Sequence, residues 1–192
     1  MYLDRNVARS KLEGGPGFNV MDGNYGRDTL IGGNDGNLMD GGEGPDTITG
    51  GDAADSIVGS GGDDDIDGGK GSDLVEGGPG RDTLTGGPGD DIIIYRKGDL
   101  QDTSIDGGEG IDTLCLEGTI SDYTVMFGEQ VQDLAANGGL LMVPPGVSLR
   151  VFQGSGQPPY KSILAPRGSD PLAAVPTLTS IERVRLTVGV KA

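Results

Sequence analysis

A carboxylate or its amide isostere recurs every nine residues along the first half of this chain: Asn19, Asp28, Asn37, Asp46, Asp55, Asp64, Asp73, Asp82 and Asp91. The position five residues before each of them is glycine throughout, from Gly14 to Gly86. Glycine also holds most positions four and two residues before, where only Asn24, Ser60, Asp35 and Ala53 depart. Carboxylates beside glycine-rich backbone form a set of hard oxygen donors, with main-chain carbonyls left accessible by the missing side chains. That chemistry suits Ca²⁺, which takes six to eight oxygens at about 2.3–2.6 Å. A merely solvated acidic face would not require glycine at fixed offsets from each acid.

The elements that position these acids follow from the same period. Counted from the leading glycine, the eighth place of each nine-residue unit is Met21, Leu30, Met39, Ile48, Ile57, Ile66, Val75, Leu84 and Ile93, always apolar. A run such as Gly77-Gly78-Pro79-Gly80-Arg81-Asp82 cannot be helical and reads as a loop. The three residues after it, Thr83-Leu84-Thr85, allow only a very short strand with the central side chain facing in. Two loops and two strands make a coil of eighteen residues, and coils stack at about 4.8 Å. The predicted fold is all-β, a right-handed parallel β-roll of two sheets with a thin core of eighth-place side chains. One buried aliphatic side chain per nine ordered residues does not offset the backbone entropy of a glycine-rich chain. Cations held between coils would supply the remainder.

Stacking sorts the acids by parity. Odd units align Asn19, Asn37, Asp55, Asp73 and Asp91, and even units align Asp28, Asp46, Asp64 and Asp82. This gives about seven candidate calcium gaps. Gaps flanked by two aspartates should bind best, the 37/55 gap less well and the 19/37 gap worst. Charge agrees with this. The chain carries −16, and the repeats from Gly14 to Ile94 hold 17 acids against Arg27, Lys70 and Arg81. Without cations such a segment repels itself, and its sign speaks against nucleic acid and anionic membrane surfaces as partners.

Tandem GGxGxDxLx units resemble the RTX, or hemolysin-type, calcium-binding nonapeptide family, and Gly77 to Thr85 matches that unit at every place. The resemblance covers residues 14–115. It implies a parallel β-roll with Ca²⁺ between coils, held by the sixth-place acids and main-chain carbonyls of the loop glycines. It also implies export from a Gram-negative bacterium by a type I system, with folding only after calcium is met outside the cell. Met1 to Ser10 shows no secretory signal peptide, and no apolar run is long enough to span a membrane. Cytosolic calcium is too scarce to fill such loops, so the expected location is extracellular, secreted or at the cell surface.

The pattern degrades beyond Ile94. Tyr95-Arg96-Lys97 is an insertion, Gly98 to Asp106 is an imperfect unit with Asp102 one place early, and Gly107 to Cys115 recovers the motif with Asp112. Three regions result: a lead-in at 1–13, the roll at 14–115 interrupted at 95–106, and a β-rich C-terminal cap at 116–192. Within the cap, Val184, Leu186, Val188 and Val190 share one strand face, as do Val147, Leu149 and Val151, while Gln153 to Pro176 reads as a long loop. Segments 121–125 and 178–183 resemble those that often follow RTX arrays. The seventh places of the odd units, Val20, Leu38, Ser56, Leu74 and Ile92, form an apolar strip, expected to be covered by the region after Leu116 or by a partner.

Other chemistries fall away. The chain has no histidine, which rules out Ser-His-Asp and Cys-His catalysis and an HExxH zinc site. Asp63 to Gly68 mimics the start of an EF-hand loop, but its twelfth place is Leu74. Gly154-Ser155-Gly156 lacks the spacing of a nucleophile elbow. Cys115 is single, so no internal disulfide forms. The expected function is therefore a monomeric calcium-binding module, non-catalytic by itself. Two alternatives are the carrier region of a type I-secreted protease, lipase or epimerase, and an adhesin segment whose cap binds a cell-surface or protein ligand.

Overall fold

Each nine-residue unit contributes one strand, and units of like parity fall on the same sheet. The computed structural model describes residues 9–96 and 104–117, the strands at 123–127, 130–132, 140–142 and 149–153, and residues 177–181 and 183–187. Twelve strands build the repeat region: β1 (Lys11–Glu13), β2 (Asn19–Asp22), β3 (Thr29–Ile31), β4 (Asn37–Glu43), β5 (Thr47–Gly51), β6 (Ser56–Gly61), β7 (Asp65–Gly69), β8 (Leu74–Glu76), β9 (Thr83–Pro88), β10 (Ile92–Arg96), β11 (Ser104–Glu109) and β12 (Thr113–Glu117). Odd-numbered strands pair in parallel along one sheet and even-numbered strands along the other. Alternate units share a sheet because one loop of glycines reverses the chain between them. The fold is an all-β parallel solenoid, as the period predicts.

The pairing offset is eighteen residues, with Leu30 opposite Ile48 and Met39 opposite Ile57. All nine eighth-place side chains are buried between the sheets, joined by Ile105, Leu114 and Leu116. Flanking seventh and ninth places point outward, as alternation along a strand requires. The second place of most later units takes the left-handed conformation, with φ of 95° at Gly42 and 97° at Gly78. Asn24 and Ser60, the two departures from glycine at this place, adopt it too, at 68° and 73°. A small polar side chain tolerates αL better than other non-glycine residues do, so the turn persists at both.

The insertion after Ile94 does not break the stack. Between β10 and β12, and between β9 and β11, the offset becomes twenty-one: Ile92 lies opposite Thr113, and Thr83 opposite Ser104. Two of the three extra residues lengthen β10, and β12 lengthens with it, pairing Tyr95 with Leu116 and Arg96 with Glu117. Tyr95 and Leu116 are both buried, so the core widens at this end. Arg96 Nε donates to Glu76 at 2.9 Å and to Glu117 at 3.0 Å, tying three neighbouring strands together. Asp102 lies outside the described residues.

The roll extends past both expected boundaries. At the start, β1 pairs with β3 in the eighteen-residue offset, so Lys11 to Glu13 belong to the first coil rather than to a lead-in. At the other end six more strands follow among the described residues: β13 (Tyr123–Phe127), β14 (Gln130–Gln132), β15 (Leu140–Met142), β16 (Leu149–Gln153), β17 (Thr177–Thr179) and β18 (Arg183–Thr187). Strands β17 and β18 pair in parallel with β11 and β12, adding a further coil that has no glycine motif. Its exposed edges are then paired antiparallel, β16 on β17 and β15 on β18. The described residues of the C-terminal region lie mostly in strands. Val147, Val188, Val190 and the segment 154–176 lie outside the described residues.

The apolar strip lies along one sheet, and no described C-terminal strand covers it. Val20, Leu38, Leu74 and Ile92 align on the outer face of the even-strand sheet, where all four remain exposed, Val20 at 68%. Among the described residues the C-terminal strands extend the two sheets edge to edge instead of lying over this face. Unpaired backbone groups at a sheet edge demand partners more strongly than scattered outward side chains do.

With one inward side chain per strand, the two facing rows leave no alternative packing for a lost one. Ile66→Ala is expected to destabilise the calcium-loaded protein by about 2–5 kcal/mol. Urea unfolding would read this as a lower midpoint at unchanged slope, and a change below about 0.5 kcal/mol would show that the row is not holding the coils together.

Candidate metal centres

The sixth-place acids stand at the last residue of each loop, just before the inward strand. Asp28, Asp46, Asp64 and Asp82 form one row, and Asp55, Asp73, Asp91 and Asp112 the other, with Asn37 and Asn19 at its start. All eight aspartates and Asn37 are buried; Asn19, in the outermost coil of its row, is partly exposed.

The polar atoms of these aspartates fall into a repeated pattern. The backbone N–H of each unit donates to the Oδ1 of the aspartate one coil further on: Asp28 to Asp46 at 2.7 Å, Asp46 to Asp64 at 2.8 Å, Asp64 to Asp82 at 2.9 Å, Asn37 to Asp55 at 2.7 Å, Asp55 to Asp73 at 2.8 Å and Asp73 to Asp91 at 2.8 Å. The same bond spans the twenty-one-residue step, from Asp91 N–H to Asp112 Oδ1 at 2.9 Å. Backbone carbonyls of the row accept from the seventh-place N–H of the next coil, as Asp46 does from Asp65 and Asp112 from Arg183. What remains is Oδ2. In Asp28, Asp46, Asp55, Asp64, Asp73, Asp82, Asp91 and Asp112 this oxygen is buried without a hydrogen-bond partner.

A buried carboxylate oxygen with no donor is costly, and eight in two straight rows call for a common counter-charge. The surroundings fit a cation. A Cβ built on Gly59 would lie 2.5 Å from Asp64 Oδ2 and 2.5 Å from the Gly77 carbonyl oxygen; on Gly41 it would lie 2.7 Å from Asp46 Oδ2 and 2.8 Å from the Gly59 oxygen. First-place glycine is therefore fixed by a close approach: its bare Cα gives room to the lone carboxylate oxygen and to a carbonyl of the next coil. Among the described residues no three acidic or cysteine side chains converge on one point, and the chain has no histidine. The donor set available in each gap between two aspartates is two carboxylates and main-chain carbonyls, all hard oxygen. That set suits Ca²⁺ and is poor for soft or nitrogen-seeking metals.

Electrostatics carry the same strain. Burial pushes the carboxyls of Asp64 and Asp73 up to about 7 and that of Asp46 up to about 6, with neighbouring aspartates raising them further and the backbone N–H bond opposing. Burial raises Asp55 and Asp91 as well.

The two asparagines behave otherwise. Asn19 Nδ2 donates to the carbonyls of Gly15 at 3.0 Å and Gly17 at 2.7 Å and to Asn37 Oδ1 at 2.9 Å. Asn37 Nδ2 donates to the Asp35 carbonyl at 2.8 Å and to Asp55 Oδ1 at 2.8 Å. Two features escaped the sequence. Ser10 N–H caps the even-unit row by donating to Asp28 Oδ1, and Asp106 Oδ1 is buried without a partner at a ninth place no motif marks. Asp112, by contrast, was signalled by its recovered motif.

The acids with raised values take up protons more readily in the folded roll than in the unfolded chain, whose ordinary value is 3.8. Protonation thus favours the roll below about 7, and that contribution is lost as pH rises through 7. In chelator, acidification from pH 8 to pH 5 should increase the β signal in circular dichroism; a loss of signal over that range would contradict the buried, unpaired state of these carboxyls.

A family model described as the RTX calcium-binding nonapeptide repeat matches residues 11–39, 40–75 and 67–99. No curated protein and no solved structure matches the chain. The matched span holds seven of the eight aspartates whose Oδ2 oxygens lack donors, and over residues 11–99 the chain is similar to the RTX calcium-binding nonapeptide repeat family.

Proposed function

We propose that this protein is a calcium-dependent folding module of a secreted bacterial protein, structural and non-catalytic in itself. The observation that carries the reading is the pair of buried Oδ2 rows, which the protein's own donors do not satisfy. Bound calcium supplies the positive charge that lets adjacent coils bring these oxygens together. The residues that would hold it are Asp28, Asp46, Asp64 and Asp82 in one row and Asp55, Asp73, Asp91 and Asp112 in the other, with loop carbonyls. Six gaps have aspartate on both sides: 28/46, 46/64, 64/82, 55/73, 73/91 and 91/112.

Each inner aspartate faces two gaps, so filling one orders half of the next, and assembly should be cooperative. A chain of this charge stays expanded where calcium is scarce, which supports a function outside the cell and export in an unfolded state. Type I export rests on the family resemblance. The ordered roll then serves as a rod that stabilises or presents whatever is joined to it.

A calcium titration followed by circular dichroism should be sigmoidal, and a hyperbolic curve or full structure in chelator would overturn the reading. Asp64→Ala should remove two ions from the saturated count, those of the 46/64 and 64/82 gaps, whereas Asn19→Ala should remove none. Native mass spectrometry would count them.

A further inference from the structure

We infer that the side-chain amides of Asn19 and Asn37 stand in for the cation in their own coils, so that the 19/37 and 37/55 gaps take no calcium and this end of the roll is closed by the protein alone. The inference rests on the calcium reading of the aspartate gaps. Its starting point is a positional equivalence. A Cβ on the first-place glycine would lie 2.9 Å from Asn19 Nδ2 in the first unit and 2.6 Å from Asn37 Nδ2 in the third, just as it would lie 2.7 Å from Asp46 Oδ2, 2.5 Å from Asp64 Oδ2 and 2.7 Å from Asp73 Oδ2 in later units. The amide nitrogen therefore occupies the place of the lone carboxylate oxygen.

Its bonds show which oxygens converge there. Asn19 Nδ2 reaches the second-place carbonyl of Gly15, the fourth-place carbonyl of Gly17 and the sixth-place Oδ1 of Asn37. Asn37 Nδ2 reaches the fourth-place carbonyl of Asp35 and the Oδ1 of Asp55. The amide orientation follows from this network, because the reverse assignment would set an oxygen against these acceptors and leave the Gly15 N–H, which donates to Asn19 Oδ1 at 3.2 Å, facing a donor. Where aspartate stands instead with another aspartate one coil further on, an oxygen takes the place of the amide and a cation is required. Where asparagine stands, the acceptors already have N–H donors, no buried oxygen of the residue is left over, and the gap holds one negative charge or none. An entering ion would have to break these bonds with at most a single carboxylate to attract it.

Calcium bound at saturation, counted by native mass spectrometry and by elemental analysis of gel-filtered protein, tests this. Wild type should hold six ions, Asn37→Asp seven and the double variant Asn19→Asp/Asn37→Asp eight. An unchanged count in both variants, or eight ions in wild type, overturns the inference and leaves the calcium reading intact; a wild type without calcium overturns both. Should the variants not fold, the calcium-loaded wild type still decides. The Asn37 side-chain amide protons should exchange with solvent at least about 100-fold more slowly than those of an exposed asparagine, and exchange at the exposed rate would overturn the inference.

Discussion

The structure turns on one unsatisfied atom, the Oδ2 of an aspartate repeated eight times in two rows. Its partner oxygen is fully committed, accepting the N–H of the coil before, so the carboxylate cannot rotate to share the load. Sheet, loop and core are all arranged around that oxygen. First-place glycine lacks a side chain because the oxygen lies against its Cα, and the loop carbonyls of adjacent coils face the same space. An apolar side chain per strand sets the coil spacing but is too small a core to enforce it against eight buried charges. On the proposed reading, fold and ion binding are one equilibrium, written in the same residues.

Much of this was legible from residue spacing, because a solenoid maps sequence period onto space without long-range surprises. The eighth-place core from Met21 to Ile93 and the pairing of acids by parity follow from the number eighteen alone. The end of the array was harder to read. Tyr95-Arg96-Lys97 could be identified as extra residues, but nothing in the sequence says that β12 would lengthen in step with β10 or that Asp112 would meet Asp91 N–H across the longer offset. The coil formed by β17 and β18 has no glycine signature to find, since its register is set by the edges it covers.

Asparagine illustrates the limit of reading residue types. As an isostere with no charge, Asn37 looks like a weakened ligand. The role inferred for it depends on where its nitrogen points, and that is decided by the Asp35 carbonyl and Asp55 Oδ1, which come together only once the coils are stacked. The same substitution placed in the middle of the even-unit row would separate two doubly acidic gaps; placed at the start of the other row it finishes that row.

The final parallel coil sets a kinetic condition on the whole molecule. Every earlier rung is closed by a neighbour about twenty residues away or fewer, but β11 and β12 are matched by strands that begin at Thr177 and Arg183. The intervening chain must be looped out before that rung exists, a contact of much higher order than any other in the roll. Until β17 and β18 arrive, β11 and β12 present two open templates at the growing face, and elongation by a strand from another copy competes with completion by the chain's own. Terminating the rod correctly is therefore a race between a long intramolecular closure and intermolecular pairing, one that dilution would favour.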